Sequence, residues 1–288
     1  MFILEKYSQI LLPHQAKRFS FLIIACQLIV HPHLSAMENN GRGAKAVAMA
    51  NAFTAISDNC WAIDYNPAGL ARIAEFQCSA FIVPEQFGLQ ELRTTAFAAA
   101  LPFSLAAIGI KAEKFGFDLY SETEFGLAFA AKIDKNISGG LSLGYHRLDI
   151  ARYGNAGSYF IDAGMIAQVV NCVHAGFSIH NMTGAVIGRT EEKMPQICAL
   201  GMSWAPSFGF QISIEMEKNI RFPASIRMGI EQVVFDVIAL RVGIANNPDK
   251  YSTGIGVRYS VFEFGYAGYS HPDLGWTDQI ELSFRFDK

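Results

Sequence analysis

The chain is poor in charge. Lys, Arg, Asp and Glu together make up 17% of its 288 residues, well under the roughly 25% of a soluble globular chain. There is no basic excess, since the net charge is −3, so no field announces nucleic acid. Long apolar runs are also missing. The longest useful one, Phe19 to Val30, falls short of the ~20 residues a helix needs to cross a bilayer, so a helical membrane protein is not expected. No C-x-x-C pair, phosphate-cradling glycine loop or metal-ligand spacing occurs, and no metal or cofactor is expected. With 51% hydrophobic residues, the apolar surface has to be covered by something other than charge.

The start of the chain has the parts of an export signal: Lys17 and Arg18, the apolar run, then Leu34-Ser35-Ala36 as a small-residue cleavage site. Residues 1–36 are accordingly expected to be a signal peptide. Ile23-Ile24-Ala25-Cys26 offers lipoprotein processing as an alternative, although the apolar run continues past Cys26. Cys60, Cys78, Cys172 and Cys198 are widely spaced and are expected to be free thiols acting as small apolar filling in strands.

From Glu75 onward the pattern changes at every second residue. Phe125, Leu127, Phe129, Ala131 and Ile133 alternate with Glu124, Gly126, Ala128, Ala130 and Lys132, which is the signature of a strand. Runs of this kind predict about fourteen strands, near 75–83, 92–101, 104–114, 121–133, 137–148, 158–170, 172–182, 195–205, 208–217, 224–234, 237–246, 252–259, 261–269 and 278–286. Connections alternate between long (Pro84–Glu91, Asp149–Gly157, Thr183–Met194, Ser270–Thr277) and tight (Asp134-Lys135-Asn136, Pro206-Ser207, Ser260), and none is expected to exceed about twelve residues. That rhythm predicts an all-β, antiparallel up-and-down barrel over residues 75–288; a soluble sandwich would alternate in the same way, and the residue types of the two faces, with the export signal, favour a barrel that spans a membrane.

One face of the strands is small, with scattered charges: Lys111, Glu122, Glu124, Arg227, Glu231, Arg241, Arg258, Glu263, Glu281 and Arg285. These are assigned to the lumen, where opposite charges pair and either line a polar path or hold a plug. The bulky face is assigned to lipid, with Trp204, Tyr259, Tyr266 and Trp276 as interfacial aromatics. His146 stands alone, ~13 Å along its strand from Ser142, and His174 and His180 are about 20 Å apart. No enzyme is expected from such spacing.

Residues 37–74 break the alternation. Ala44 to Ala55 is weakly helical, with Val47, Ala50 and Phe53 on one side, and Ser57-Asp58-Asn59 and Asn66-Pro67-Ala68-Gly69 are turn chemistry. Such a segment cannot stand as a domain, so its expected place is inside the barrel as a partly helical hatch. Gly41, Arg42, Gly43, Asp58, Asn66, Pro67, Ala68 and Gly69 are its candidate functional residues. Asn66-Pro67 reads either as a bend whose displacement opens a route or as a turn that simply holds the plug.

The segment GRGAKAVAMANAFTAISDNCWAIDYNPAGLAR, together with HNMTG (residues 180–184) ahead of Met194-Pro195 and the closing LGWTDQIELSFRF, resembles outer-membrane proteins of the PorV/PorQ group within the FadL-like family. The resemblance implies an N-terminal hatch in a fourteen-stranded barrel of the bacterial outer membrane. It also implies contact with outer-membrane lipid and one of two roles: passage of a small hydrophobic ligand, or anchorage of exported proteins as a component of type IX secretion. In this sequence Phe286 is followed by Asp287 and Lys288, where strands of this class commonly end on an aromatic.

Overall fold

A computed structural model of the chain describes residues 41–188 and 191–286. The expected export signal, Cys26, residues 37–40 of the expected hatch, Asp287 and Lys288 lie outside the described residues. The wall runs β1 (Phe76–Val83), β2 (Thr94–Pro102), β3 (Ala106–Phe117), β4 (Tyr120–Asp134), β5 (Ile137–Ile150), β6 (Gly154–Val170) and β7 (Val173–His180). A small outlying hairpin, β8 (Val186–Ile187) with β9 (Glu192–Lys193), interrupts it. It resumes as β10 (Ile197–Ser207), β11 (Phe210–Asn219), β12 (Ser225–Val234), β13 (Ile238–Ala245), β14 (Lys250–Tyr259), β15 (Phe262–His271) and β16 (Gly275–Phe286).

Leaving out the small hairpin, each strand pairs antiparallel with its sequence neighbour, and β1 pairs with β16 from Phe76↔Phe286 to Ile82↔Ile280, closing the ring. Closure matters because hydrocarbon cannot satisfy an open sheet edge. All fourteen expected strands are present, but two expected long connections are not. The β5–β6 ladder continues to Ile150↔Gly154 and the β15–β16 ladder to His271↔Gly275, leaving short turns. Conversely, the connection from Asn181 to Gln196 is longer than expected and carries β8 and β9.

Turns at one rim, such as Lys135-Asn136, Phe208-Gly209 and Ser260-Val261, are two or three residues long, whereas the other rim holds Pro84–Arg93 and Asn181–Gln196. On the outer surface an apolar band runs round the wall, through Phe125, Leu127, Phe129, Leu141, Leu200, Ile214, Val242, Phe264 and Leu282, all exposed. A continuous exposed apolar surface of this extent is insoluble in water and stable against hydrocarbon. Toward the long-loop rim, β3 to β6 rise past the band, and their outward residues become Lys114, Thr123, Arg147, Asp149 and Asn155. Trp204 and Tyr259 sit near the short-turn rim and Trp276 near the long-loop rim. Tyr266, by contrast, lies in mid-strand, where it and Trp276 both donate to the outward-facing Asp278 (2.6 and 2.7 Å).

The interior is filled by residues 41–73. Here α1 covers only Ala44–Ala48 and α2 Ala62–Tyr65, followed by a 3-10 helix at Pro67–Arg72. The helical reading to Ala55 is corrected: α1 stops because Ala50 and Asn51 take left-handed backbone conformations (φ 53° and 63°), which no continuing α-helix tolerates.

Glycines on the inner wall explain how the hatch fits. A Cβ at Gly164 would lie 2.0 Å from the Asn66 amide oxygen, at Gly140 2.5 Å from the Pro67-Ala68 peptide, at Gly176 2.4 Å from the Thr54 carbonyl, and at Gly243 2.4 Å from the Met49-Ala50 peptide. Gly109, Gly229 and Gly265 meet Leu70, Met49 and Ala44 in the same way. The small face of the strands is therefore shaped to the plug, and hatch residues such as Phe53, Trp61, Ile63 and Leu70 are buried.

Candidate functional site

Asn66 and Pro67 start the 3-10 helix, with Pro67 in the first turn, where its missing N–H costs nothing. The Asn66 side-chain oxygen accepts from Ala68 N (3.2 Å), while its amide donates to the carbonyls of Thr54, Met165 and Phe177 (2.9, 3.1 and 3.3 Å). One side chain thus joins two hatch segments to β6 and β7. Ala68 and Gly69 are buried within this turn, and a Cβ at Gly69 would lie 2.1 Å from the Ser57 carbonyl oxygen. Gly41 and Gly43 have φ near +80°, which only glycine adopts freely, and Gly43 lies under the Trp61 ring.

Two wall glutamates cap hatch backbone. Glu281 accepts from Ala44 N, from the Trp61 indole (2.8 Å) and from Ser79 (2.5 Å), and Glu215 accepts from Thr54 N (2.7 Å). Neither Trp61 nor Glu215 stood out among the candidates, because a strand glutamate does not announce that a distant segment will need an acceptor.

The lumen charges separate into groups. Toward the short-turn rim, Lys45 contacts Asp58 (2.7 Å) and Glu231 (2.9 Å), and Arg241 contacts Glu231 (2.6 Å) and Glu263 (3.2 Å). Arg258 and Arg285 complete the set on Glu263 (3.3 and 3.0 Å). Burial by itself would lower the Lys45 pKa, but Asp58 and Glu231 outweigh it and raise it. Burial likewise opposes ionisation of Asp58, yet Lys45 holds that carboxyl at about 2. The Cys60 thiol alongside is pushed up by burial and by Glu281. Residual spaces here are of the order of a water molecule, about 10 Å³ between Lys45, Cys60 and Glu281. A smaller pair, Arg227 with Glu217 (2.5 Å), sits on β11 and β12 near the other rim.

On the long-loop side of the hatch the second main group lines open space. Arg42 holds Glu113 through two hydrogen bonds (2.7 and 3.1 Å) and lies 3.6 Å from Asp64; Lys111 bridges Asp64 and Glu124. Burial would lower the Arg42 pKa, but Glu113 and Asp64 raise it well above its usual value. His146, which spacing left alone, sits 3.6 Å from both Glu122 and Glu124. Arg42, Glu113, Glu122, Glu124 and His146 form the floor of a vestibule of about 460 Å³, walled by Phe81, Val83, Phe115, Leu148 and Ile187, while Asp64 and Lys111 line the space beside it. A space of about 240 Å³ adjoins it, sharing Arg42, Glu124, Met194 and Pro195.

In that adjoining space His180 contacts Ser178 (3.2 Å), the Tyr65 carbonyl (3.2 Å) and Asp162 (3.7 Å). Ser178 is fully buried, so a nucleophile there has no route to substrate. Ser142 bonds Asp162 (3.1 Å) rather than His146. Among the described residues the four cysteines are free, with Cys60 in the hatch and Cys172 in the β6–β7 turn rather than in strands. No group of three or more potential ligands there could hold a metal ion.

Comparison of the sequence with protein-family models and with curated proteins gave no match. Solved structures do match in fold. The Ralstonia pickettii toluene transporter TbuX superposes with a TM-score of 0.68 at 12% identity, over 86% of this chain and 99% of that one. The Pseudomonas putida toluene transporter TodX gives 0.66 at 10%, over 87% and 100%, and a Pseudomonas aeruginosa FadL homologue 0.59 at 11%, over 85% and 98%. The chain therefore has the FadL-like barrel fold, fourteen strands closed around a segment of its own N-terminal region.

Proposed function

We propose that this protein spans the bacterial outer membrane and passes small hydrophobic molecules, with the hatch as the movable closure. The vestibule carries this reading: an apolar-walled chamber opens at the long-loop rim, which faces outward in barrels of this type, and ends blindly on the hatch. Its volume lies within the range of small-molecule sites. The fold likeness to toluene transporters supports the same class of cargo. In this reading Arg42 ties the hatch to Glu113 on the wall and Asn66 ties it to β6 and β7, and the hatch shifts as one body. The export signal expected at residues 1–36 would bring the chain to this location.

A disulfide across hatch and wall tests the proposal. Thr54 Cβ lies 3.5 Å from where a Gly201 Cβ would be, a disulfide-compatible separation. In a background lacking the native cysteines, T54C/G201C is expected to abolish uptake of radiolabelled toluene by outer-membrane vesicles when oxidised and to restore it on reduction. Undiminished uptake by the oxidised form would eliminate the moving hatch. If exported proteins then co-purify with the barrel, the anchoring role implied by the PorV/PorQ likeness replaces passage.

A further inference from the structure

The vestibule floor is not charge-neutral. Glu113, Glu122 and Glu124 face it against Arg42, and Asp64 and Lys111 line the adjoining space, so the two spaces together set these four carboxylates against two fixed cations at their shared floor. His146 lies between Glu122 and Glu124 and adds at most one positive charge. At the rim Glu192 and Lys193 cancel, and in the adjoining space Asp162 faces His180.

The surplus is located on identifiable atoms. Glu122 has no Lys or Arg partner among the described residues: its contacts are the Tyr120 hydroxyl (2.5 Å) and His146. Asp64 is more telling. Its side chain is 3% exposed, its Oδ1 is held by Lys111, and its Oδ2 is buried without a hydrogen-bond partner beside the adjoining space. A buried acceptor left unsatisfied costs free energy until a donor reaches it.

We propose that the vestibule selects apolar molecules that carry a cationic or hydrogen-bond-donating head, and disfavours those that carry a carboxylate. This names the cargo class of the passage reading and rests on it. The apolar body lies against Phe115, Leu148 and Ile187, and the head points to the floor, toward Glu122, with the charge of Asp64 behind it in the adjoining space. A carboxylate head in that position adds a negative charge beside a negative surplus. An ammonium reverses this. Toluene, with no head, falls between.

Toluene, benzylammonium and benzoate share one ring and differ in the head. Their binding to the full mature barrel in nonionic detergent, measured by isothermal titration at low and at high salt, separates the possibilities. Benzylammonium is expected to bind about tenfold more tightly than benzoate at low salt, the ratio narrowing as salt screens the partly open floor. Glu122→Gln, checked for folding by heat-modifiable gel migration, is expected to reduce that ratio severalfold. Benzoate binding as tightly as benzylammonium, or toluene alone binding, would overturn the selectivity while leaving passage intact. Binding of none of the three would remove both. An unchanged ratio in the Glu122→Gln barrel would refute the placement of the head at that residue.

Discussion

The two main charge groups in the lumen use the same residue types to opposite ends. Around Lys45 and Arg241, the cations Lys45, Arg241, Arg258 and Arg285 pair with Asp58, Glu231 and Glu263, Glu281 lies alongside bonded to the hatch, and almost no space remains. Around Arg42 and Lys111 carboxylates exceed fixed cations and a chamber stays open. Balance and closeness go together because an ion desolvated in a narrow space has to find its opposite nearby, whereas an ion beside water does not. The first group is a buttress under the plug, and in the proposed passage the second is the face shown to a solute.

Removing one ion from each group tests that contrast most strongly. Arg241, 3% exposed, leaves Glu231 and Glu263 buried without their central partner when changed to Met, at an expected loss of about 3–5 kcal/mol, read as a lower unfolding midpoint in detergent. Gly164→Val drives a side chain into Asn66 and is expected to cost about 1–3 kcal/mol by overpacking, with Cys60 becoming reactive to maleimide as the hatch shifts. Arg42→Met, at a residue 26% exposed, is expected to lose less than about 1 kcal/mol while altering solute binding. Equal losses in the two arginine variants would erase the distinction between buttress and vestibule.

The smallest effect concerns pH. The Asp58 carboxyl is held at about 2, below its ordinary 3.8, so its stabilising contribution is whole above about pH 4 and is lost as pH falls through about 2. The raised Lys45 pKa acts in the other direction, its contribution present below its ordinary 10.5 and lost above that. Melting followed from pH 2 to 8 is expected to show a shallow acid limb that Asp58→Asn removes.

Much of the wall was legible because lipid and a glycine-lined interior impose strict alternation. Legibility failed where the physics changed. β6 begins at Gly154, earlier than the pattern predicts, because the outward residue there, Asn155, lies above the apolar band and gives no contrast with the inner face. The individual lumen charges were recognisable, but which ones meet depends on strand register around the whole ring, as with Lys111 and Asp64. Asp64, Glu113 and Lys45 passed unremarked for that reason. The hatch had no period to read, since its shape is set by glycines far along the chain, such as Gly164 and Gly243.

The seam between the first and last strands has a consequence for biogenesis. The plug precedes β1 in the chain, yet it ends up enclosed by a ring that is sealed only when Phe76 to Ile82 zip onto Ile280 to Phe286. Either the plug is seated before that zipper shuts or it must thread a finished cylinder whose glycine-lined wall it fits closely, and the first route involves far less rearrangement. Barrels sealed prematurely would be hollow and would betray themselves by a thiol at Cys60 that stays open to reagents in an otherwise assembled wall.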